Sequence, residues 1–295
     1  MTALPARLIM YTESIMTADE IYAKSELDDD LVKEARAWRE SNGAECDGYV
    51  KALLCGKPQK LRKASAIAKL AAVLAALPAT YANYLKRGIP DEIFFDTFRD
   101  IAVWCENGYK QYGEKGLRNV KWLARHVSMR LFRLGRLQFE FSRFVVIPNA
   151  GLKNILKCPY RLGEKCIAVH IPQGEKLDYA RVLDSFEQAD AFFQKYYPEY
   201  RYRAYNVVTW LLNPELEEVL GKESNIVRFG KLFTLLGRAP DNDMNERRIF
   251  GYGKDRASYA PRNALQAYTL NRINAGLPLW SYNGYRPRGA EVNRK

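Results

Sequence analysis

Histidine is scarce in this chain of 295 residues, in which His126 and His170 are the only imidazoles. The five cysteines are scattered without a CxxC pair, at Cys46, Cys55, Cys105, Cys158 and Cys166. Closely spaced Cys and His residues are the usual signature of a zinc site, so no metal site is expected. An odd number of separated cysteines in a long chain also predicts reduced thiols, which favours a cytoplasmic protein.

Other common signatures are missing as well. The sequence contains no P-loop, no Gly-x-Gly-x-x-Gly fingerprint and no Gly-x-Ser-x-Gly elbow, which argues against NTPase, dehydrogenase and hydrolase functions. No basic stretch followed by an apolar run opens the chain, so no secretory signal is expected. The longest apolar segment, residues 64–77, is shorter than the ~20 residues of a membrane span. It predicts a buried helix and no membrane association.

Charge is distributed unevenly along the chain, whose net charge is +12. Residues 1–60 contain 8 Lys/Arg and 11 Asp/Glu, whereas residues 110–165 contain 13 Lys/Arg and 3 Asp/Glu. A basic zone of this kind concentrates an anionic partner, which leaves nucleic acid and a phosphorylated small molecule open beside an ordinary solvated face. The 19 tyrosines could stack on bases, although no nucleic-acid-binding motif occurs.

The periodicity of the sequence predicts two domains and a tail. Thr17 and Glu20 form a capping box, and apolar residues recur every three or four positions between Lys60 and Lys86. We therefore predict an all-helical domain over residues 1–125, with one further helix over 117–134. Beyond Gly135 apolar and polar residues alternate, which indicates strands. The predicted fold is α+β, with a mixed-sheet α/β domain over residues 126–280 and a basic tail over 281–295.

Within the second domain the expected order is strand, helix, strand, short helix, strand. After the first strand at residues 137–142, the predicted elements are strands over 166–171, 202–211 and 225–236, and helices over 177–197 and 261–275. Strands that alternate with helices are typical of α/β architecture.

Several ordered segments resemble a bacterial family of N-acyltransferases, in which a helical N-terminal domain precedes a GNAT-like domain. They are Asp100-Ile-Ala-Val-Trp104, Trp122-Leu123, the run from Arg130 to Glu140, Val169-His-Ile-Pro172, Trp210-Leu-Leu-Asn-Pro214 and Ser224-Asn-Ile-Val-Arg-Phe229. The resemblance implies acyl transfer from acetyl-CoA or a longer acyl-CoA to an amine. It supplies neither the acceptor nor the oligomeric state.

Family members of the GNAT type hold the cofactor diphosphate with backbone N–H groups in the loop after the central strand. The equivalent loop here contains Ile171, Gln173 and Gly174, which the resemblance implies as cofactor-binding residues. This loop departs from the usual Arg/Gln-x-x-Gly-x-Gly/Ala pattern, and Glu175 and Asp178 would bring negative charge close to a phosphate. A non-catalytic ligand- or partner-binding protein on the same scaffold therefore stays open as an alternative.

Amine acylation needs a base, a polarised thioester and a proton for the departing thiolate. His170, at the end of the expected central strand, is the first candidate for the base, and Glu140 on the first strand is the second. Tyr205 and Thr209 carry hydroxyls that could donate a proton to the thiolate. For each of the four, a purely structural role is the competing interpretation.

Four further residues are candidates for binding. In the basic zone, Arg133 and Arg136 are expected to attract the phosphorylated cofactor. At the start of the last predicted strand, Asn225 and Arg228 are candidates for substrate binding, because an arginine fork suits phosphate or carboxylate. A structural salt bridge is the alternative for each arginine.

Overall fold

A computed structural model describes residues 16–24, 26–147, 149 and 151–290. Within these residues the first part of the chain is entirely helical, as predicted. Its α-helices are α1 (Ala18–Ala23), α2 (Asp29–Ser41), α3 (Gly43–Leu54), α4 (Ala66–Lys86), α5 (Asp91–Phe98), α6 (Asp100–Tyr112) and α7 (Val120–Val127). The predicted capping box is confirmed, since the side chains and backbone N–H groups of Thr17 and Glu20 bond reciprocally at the start of α1.

Helix α4 is the centre of this helical part. Ser65 begins it by accepting a hydrogen bond from the backbone N–H of Ala68. Twelve of its 21 residues are buried. Among the described residues it is the one helix long and apolar enough to cross a bilayer, and most of it is buried within the protein. This burial is the environment of a core helix, as the sequence predicted.

The second part is a mixed six-stranded sheet with helices. Its elements are β1 (Leu131–Leu134), β2 (Leu137–Arg143), α8 (Leu152–Lys157), β3 (Lys165–His170), α9 (Tyr179–Tyr196), β4 (Ala204–Thr209), α10 (Leu216–Leu220), α11 (Asn225–Gly230), β5 (Thr234–Pro240), α12 (Asn242–Phe250), α13 (Ala264–Asn274) and β6 (Trp280–Pro287). The strand order is β1-β2-β3-β4-β6-β5. The α+β fold class predicted from the sequence is confirmed.

The central strands β3 and β4 are the parallel pair of this sheet, and their pairing is short. Ile167 lies opposite Tyr205 and Ala168 opposite Asn206. Beyond Ala168 and Asn206 both strands continue, to His170 and Thr209, without further pairing to each other. The two strands therefore part at their carboxyl ends, and the space between them is available to a ligand.

The helix predicted over residues 117–134 is too long. Helix α7 ends at Val127, Met129 adopts a left-handed backbone with φ 52°, and β1 then pairs antiparallel with β2. Every residue of β1 is buried, so the strand shows no alternation of apolar and polar side chains. Because its apolar residues continue the apolar spacing of the preceding helix, the predicted helix was extended over this strand.

The strand predicted over residues 225–236 is wrong in its first half. That half is helix α11, and β5 begins only at Thr234. Val227 and Phe229 are buried on either side of Arg228, so a short helix produced the alternation expected of a strand. Asn225 and Arg228 consequently lie on a helix and not on a strand.

The basic tail predicted over residues 281–295 also needs correction. Residues 281–287 belong to β6, which lies between β4 and β5, while residues 291–295 lie outside the described part of the chain. Polar Asn283 is fully buried and donates a hydrogen bond to the carbonyl of Val207. A side chain at Gly284 would come within 2.9 Å of Leu212. The sequence did not indicate this strand, because a buried polar residue and a glycine interrupt the alternation of apolar and polar residues.

Candidate active site

A cavity of about 510 Å³ opens where β3 and β4 part. The sheet contributes the ends of both strands to its wall, at Val169, His170, Val208 and Thr209. The helical part contributes residues of α6 and of the segment entering α7, at Asp100, Val103, Trp104, Asn119 and Trp122. Both parts of the chain therefore enclose one site.

His170 is oriented by Glu140 on the neighbouring strand. The Nε2 atom of His170 lies 2.9 Å from Oε2 of Glu140. An ionised carboxylate only accepts hydrogen bonds, so Nε2 carries the proton and Nδ1 of the neutral imidazole keeps its lone pair. A histidine fixed in this tautomer by a carboxylate is arranged as a general base.

Cationic side chains keep Glu140 ionised. The carboxylate accepts a hydrogen bond of 3.0 Å from Arg125, and Arg130 lies 3.9 Å away. Burial alone would raise the pKa of Glu140, but the hydrogen bond from His170 and the charges of Arg125 and Arg130 outweigh burial and hold the pKa below its usual range. Glu140 thus acts as the partner that holds His170.

A second pair of a carboxylate and a histidine lies behind the opposite part of the wall. Asp100, 4% exposed, accepts three hydrogen bonds at Oδ2, from the indole of Trp122 at 2.7 Å, the amide of Gln138 at 2.8 Å and Nε2 of His126 at 3.1 Å. Burial alone would raise the pKa of Asp100, but these hydrogen bonds outweigh it and hold the pKa below its usual range. Here the carboxylate faces the cavity, and fully buried His126 supports it.

Trp122 joins the two pairs. Its indole N–H donates to Asp100, and its ring meets the ring of His170 edge to face, with centroids 4.9 Å apart. The guanidinium of Arg125 lies over the same indole at 5.0 Å while it bonds to Glu140. The positions of the two pairs are therefore coupled through one aromatic side chain.

The loop between β3 and α9 is fixed by two buried arginines. Arg136 donates to the backbone carbonyls of Glu175 and Lys176, at 2.7 and 2.9 Å, and its NH1 atom is buried with no hydrogen-bond partner among the described residues. Arg133 and Arg181 form ion pairs with the Glu175 carboxylate. The negative charge of Glu175, which is unfavourable beside a phosphate, is therefore compensated by two guanidinium groups.

Helix α9 begins with its N-terminus directed at a second cavity, of about 430 Å³. Asp178 caps the helix by accepting from the N–H of Arg181, and the cavity wall includes Tyr179, Asn225 and Arg228. The Arg228 guanidinium stacks on the Tyr179 ring at 3.9 Å. The structure therefore brings the two candidate substrate-binding residues to the start of α9, away from His170.

Family comparison matches both parts of the chain. Residues 131–285 match the model of a GNAT-like C-terminal domain, and residues 16–129 match that of an N-acyltransferase N-terminal domain. The chain belongs to the family with these two domains. No curated protein matches its sequence.

Solved structures share the fold of this family member over nearly its whole length. One is the crystal structure of an acyltransferase in complex with decanoyl-CoA and teicoplanin, with a TM-score of 0.74 and 22% identity over 94% of this chain and 91% of that chain. Another is an acyltransferase mutant in complex with octanoyl-CoA, with a TM-score of 0.74 and 22% identity over 92% of this chain and 87% of that chain. At this level of identity the likeness concerns the fold.

The two candidate hydroxyl groups lie in different environments. Thr209 lies on the wall of the large cavity, and its Oγ1 accepts from the backbone N–H of Leu211. Tyr205 does not line that cavity: it is buried against α9, where its hydroxyl donates to Asp190 at 2.7 Å. Burial first of all raises the pKa of the Tyr205 hydroxyl. Its environment is that of a core hydrogen bond and not of a proton donor to the cavity.

The candidate loop residues take different positions. Ile171 and Gln173 line the large cavity, and the Gln173 amide accepts a 2.7 Å hydrogen bond from Asn107 of α6. Gly174, with φ 95°, lies between them and Glu175 without lining the cavity itself. Arg136 lines the cavity, whereas Arg133 supports Glu175.

The sequence interpretation missed Asp100 and Gln138 as site residues. Asp100 entered the sequence interpretation only as part of the family resemblance, and Gln138 only as a polar position on a strand. Gln138 lies directly opposite His170 in the register of β2 and β3. Only the packing of α6 against this pair of strands brings the Asp100 carboxylate to them.

Proposed function

We propose that this protein is an acyl-CoA-dependent N-acyltransferase that moves an acyl group from the CoA thioester to an amine. The observation that carries the proposal is the position of His170. It lies where the two central parallel strands part, its Nε2 is held by Glu140, and its ring faces a cavity enclosed by both parts of the chain.

The acyl-CoA is proposed to enter between the ends of β3 and β4. Its diphosphate is proposed to lie in the cavity at the start of α9, where the helix dipole and Arg228 favour an anion beside the carboxylates of Asp178 and Asp184. The thioester and acyl chain then extend into the large cavity, whose apolar wall includes Trp104, Ile171 and Met244. Related acyltransferase structures contain decanoyl-CoA and octanoyl-CoA, so a medium-length acyl chain is the first choice.

His170 is proposed to act as the general base. The amine nitrogen attacks the thioester carbon, Nδ1 of His170 takes one amine proton, and the C–S bond breaks as the amide forms. The imidazolium then gives its proton to the departing CoA thiolate, so that histidine ends neutral. Glu140 stabilises the imidazolium between these steps. Backbone N–H groups of the loop at residues 171–174 polarise the thioester carbonyl.

The acceptor is proposed to bind between the two parts of the chain. The wall formed by α6 and α7 faces the sheet residues across the cavity, so a bound amine would contact both. One related structure contains teicoplanin together with decanoyl-CoA. For this chain we propose only the class of the acceptor, an amine.

A thiol-release assay tests this function. The protein is mixed with decanoyl-CoA or acetyl-CoA, with and without a panel of primary amines, and free CoA thiol and the amide product are measured. We expect thiol release that depends on an amine and is matched by amide. If acyl-CoA raises the melting temperature but no amine gives an amide, a non-catalytic binding protein is the better description.

A further inference from the structure

Asp100 has one saturated oxygen and one available oxygen. All three donors, Trp122, Gln138 and His126, converge on Oδ2. No residue that the structure describes donates a hydrogen bond to Oδ1, although the carboxylate is nearly buried and forms part of the cavity wall. Oδ1 is therefore open to the cavity and can accept a hydrogen bond from a donor on a ligand.

His126 keeps this carboxylate ionised. Its Nδ1 lies 3.1 Å from the backbone carbonyl of Trp122, which can only accept, so Nδ1 carries a proton. Its Nε2 lies 3.1 Å from Oδ2 of Asp100, and this hydrogen bond helps to hold the pKa of Asp100 below its usual range against the effect of burial. Asp100 is therefore a fixed hydrogen-bond acceptor and not a competing base.

Asp100 and His170 line the same cavity and have two neighbours in common. Trp122 bonds to Asp100 through its N–H and contacts His170 through its ring. Gln138 bonds to Asp100 through its amide and lies opposite His170 in the strand register. Residues opposite each other in an antiparallel pair have Cα atoms about 4.5–5.5 Å apart.

We propose that Asp100 binds the acceptor nitrogen and makes the site specific for primary amines, an inference that rests on the proposed amine acylation. A primary amine has two N–H groups: one is donated to Oδ1 of Asp100 and the other to Nδ1 of His170. The lone pair is then left to point at the thioester carbon. A secondary amine has one N–H and leaves either Asp100 or His170 without a partner. A site built on hydrogen bonds rejects a ligand that lacks one of them.

The test compares hexylamine with N-methylhexylamine as acceptors, using decanoyl-CoA and reading kcat/KM for each. In the wild-type protein hexylamine should be the better acceptor. Asp100→Asn places an amide on the cavity, whose N–H groups cannot accept from the amine, so the preference for hexylamine should fall by about 10- to 100-fold. The steric effect of the methyl group is the same in both proteins and cancels.

Asp241→Asn is the matched control, because Asp241 is a second carboxylate on the same cavity wall and is bonded to Ser281. Asp241→Asn should show the same preference for hexylamine over N-methylhexylamine as the wild type. Loss of the preference in Asp241→Asn but not in Asp100→Asn would overturn the proposal, as would equal use of both amines by the wild type. If Asp100→Asn does not fold, Asp100→Ser takes its place, with the same expected loss.

A binding measurement separates this proposal from the proposed function. Calorimetry with CoA-loaded protein measures the affinities for hexylamine and N-methylhexylamine without turnover. If no amine is acylated but hexylamine binds better in an Asp100-dependent manner, acyl transfer is wrong and the amine site stands. If amides form and Asp100→Asn keeps the wild-type preference, acyl transfer stands and the role of Asp100 is wrong.

Discussion

The rings of His170 and Trp122 meet edge to face at 90°, with their centroids 4.9 Å apart. The two residues come from different parts of the chain, His170 from the sheet and Trp122 from α7. This contact restricts the imidazole in addition to its hydrogen bond with Glu140. The position of the proposed base therefore depends on the helical part as well as on its own strand.

Replacement of His170 tests the proposed base directly. His170→Ala should lower single-turnover transfer by about 10²- to 10⁴-fold, the usual contribution of a general base. The rise in melting temperature on addition of decanoyl-CoA should persist, because the cofactor is bound by other residues. Unchanged turnover in a folded His170→Ala protein would exclude histidine as the base and favour Glu140.

Trp122→Phe separates the two contacts of the indole. The variant keeps an aromatic ring for His170 but removes the N–H that donates to Asp100. A lost hydrogen bond to a buried charged group should lower the free energy of unfolding by about 1.5–3 kcal/mol, and denaturant unfolding measures it. Because one donor of the Asp100 oxygen is lost, KM for the amine should change more than KM for decanoyl-CoA. The opposite pattern would show that Trp122 serves the acyl chain.

Acid should destabilise the protein through Glu140. Its pKa is lower in the folded state than in the unfolded state, so its contribution to stability is complete above the unfolded value, about 4.3, and is lost as the pH falls through the folded value. Glu140→Gln removes this titration, and its melting temperature should fall less steeply below about pH 4 than that of the wild type. If the melting temperatures of the two proteins fall equally steeply in acid, the prediction is wrong.

Arg136 should control cofactor affinity through the loop that it holds. Arg136→Met removes the donors to the carbonyls of Glu175 and Lys176, so the loop should become less ordered and the Kd for acyl-CoA should rise. Arg201→Ala is the control, since it removes an equal charge from an exposed position. Equal changes in Kd would leave only general charge attraction.

Arg228 should recognise phosphate and not the acyl group. Arg228→Leu should raise KM for decanoyl-CoA by about 10- to 100-fold, the cost of a charged hydrogen bond. KM for decanoyl-pantetheine, which lacks the diphosphate, should be unchanged. A similar rise for both thioesters would assign Arg228 to packing against Tyr179.

Local patterns predicted the parts of the fold that depend on local physics. Helix α4 has a capping serine and a continuous apolar face, and α9 has a capping aspartate, and both were correctly predicted. The sheet was harder to predict because β1 is buried on both faces and β6 contains buried Asn283 and closely packed Gly284. When both faces of a strand are buried, apolar and polar residues no longer alternate, and the sequence shows no two-residue period.

The candidate site could also be predicted from the sequence only in part. His170 and Glu140 lie on adjacent strands, and the sequence predicted His170 at the end of the central strand and Glu140 on the first strand. Asp100 lies 38 residues before Gln138 in the chain, and no local pattern reports such a contact. Its role follows from the packing of α6 on the sheet.

The position of β6 has a consequence for biosynthesis. This strand is made after β5 but lies between β5 and β4, which do not pair with each other. Until residues 280–287 have left the ribosome, β4 and β5 each keep an open edge, and unpaired edges invite aggregation. The nascent chain is thus vulnerable until its last strand arrives, and chaperone binding would be most valuable during that interval.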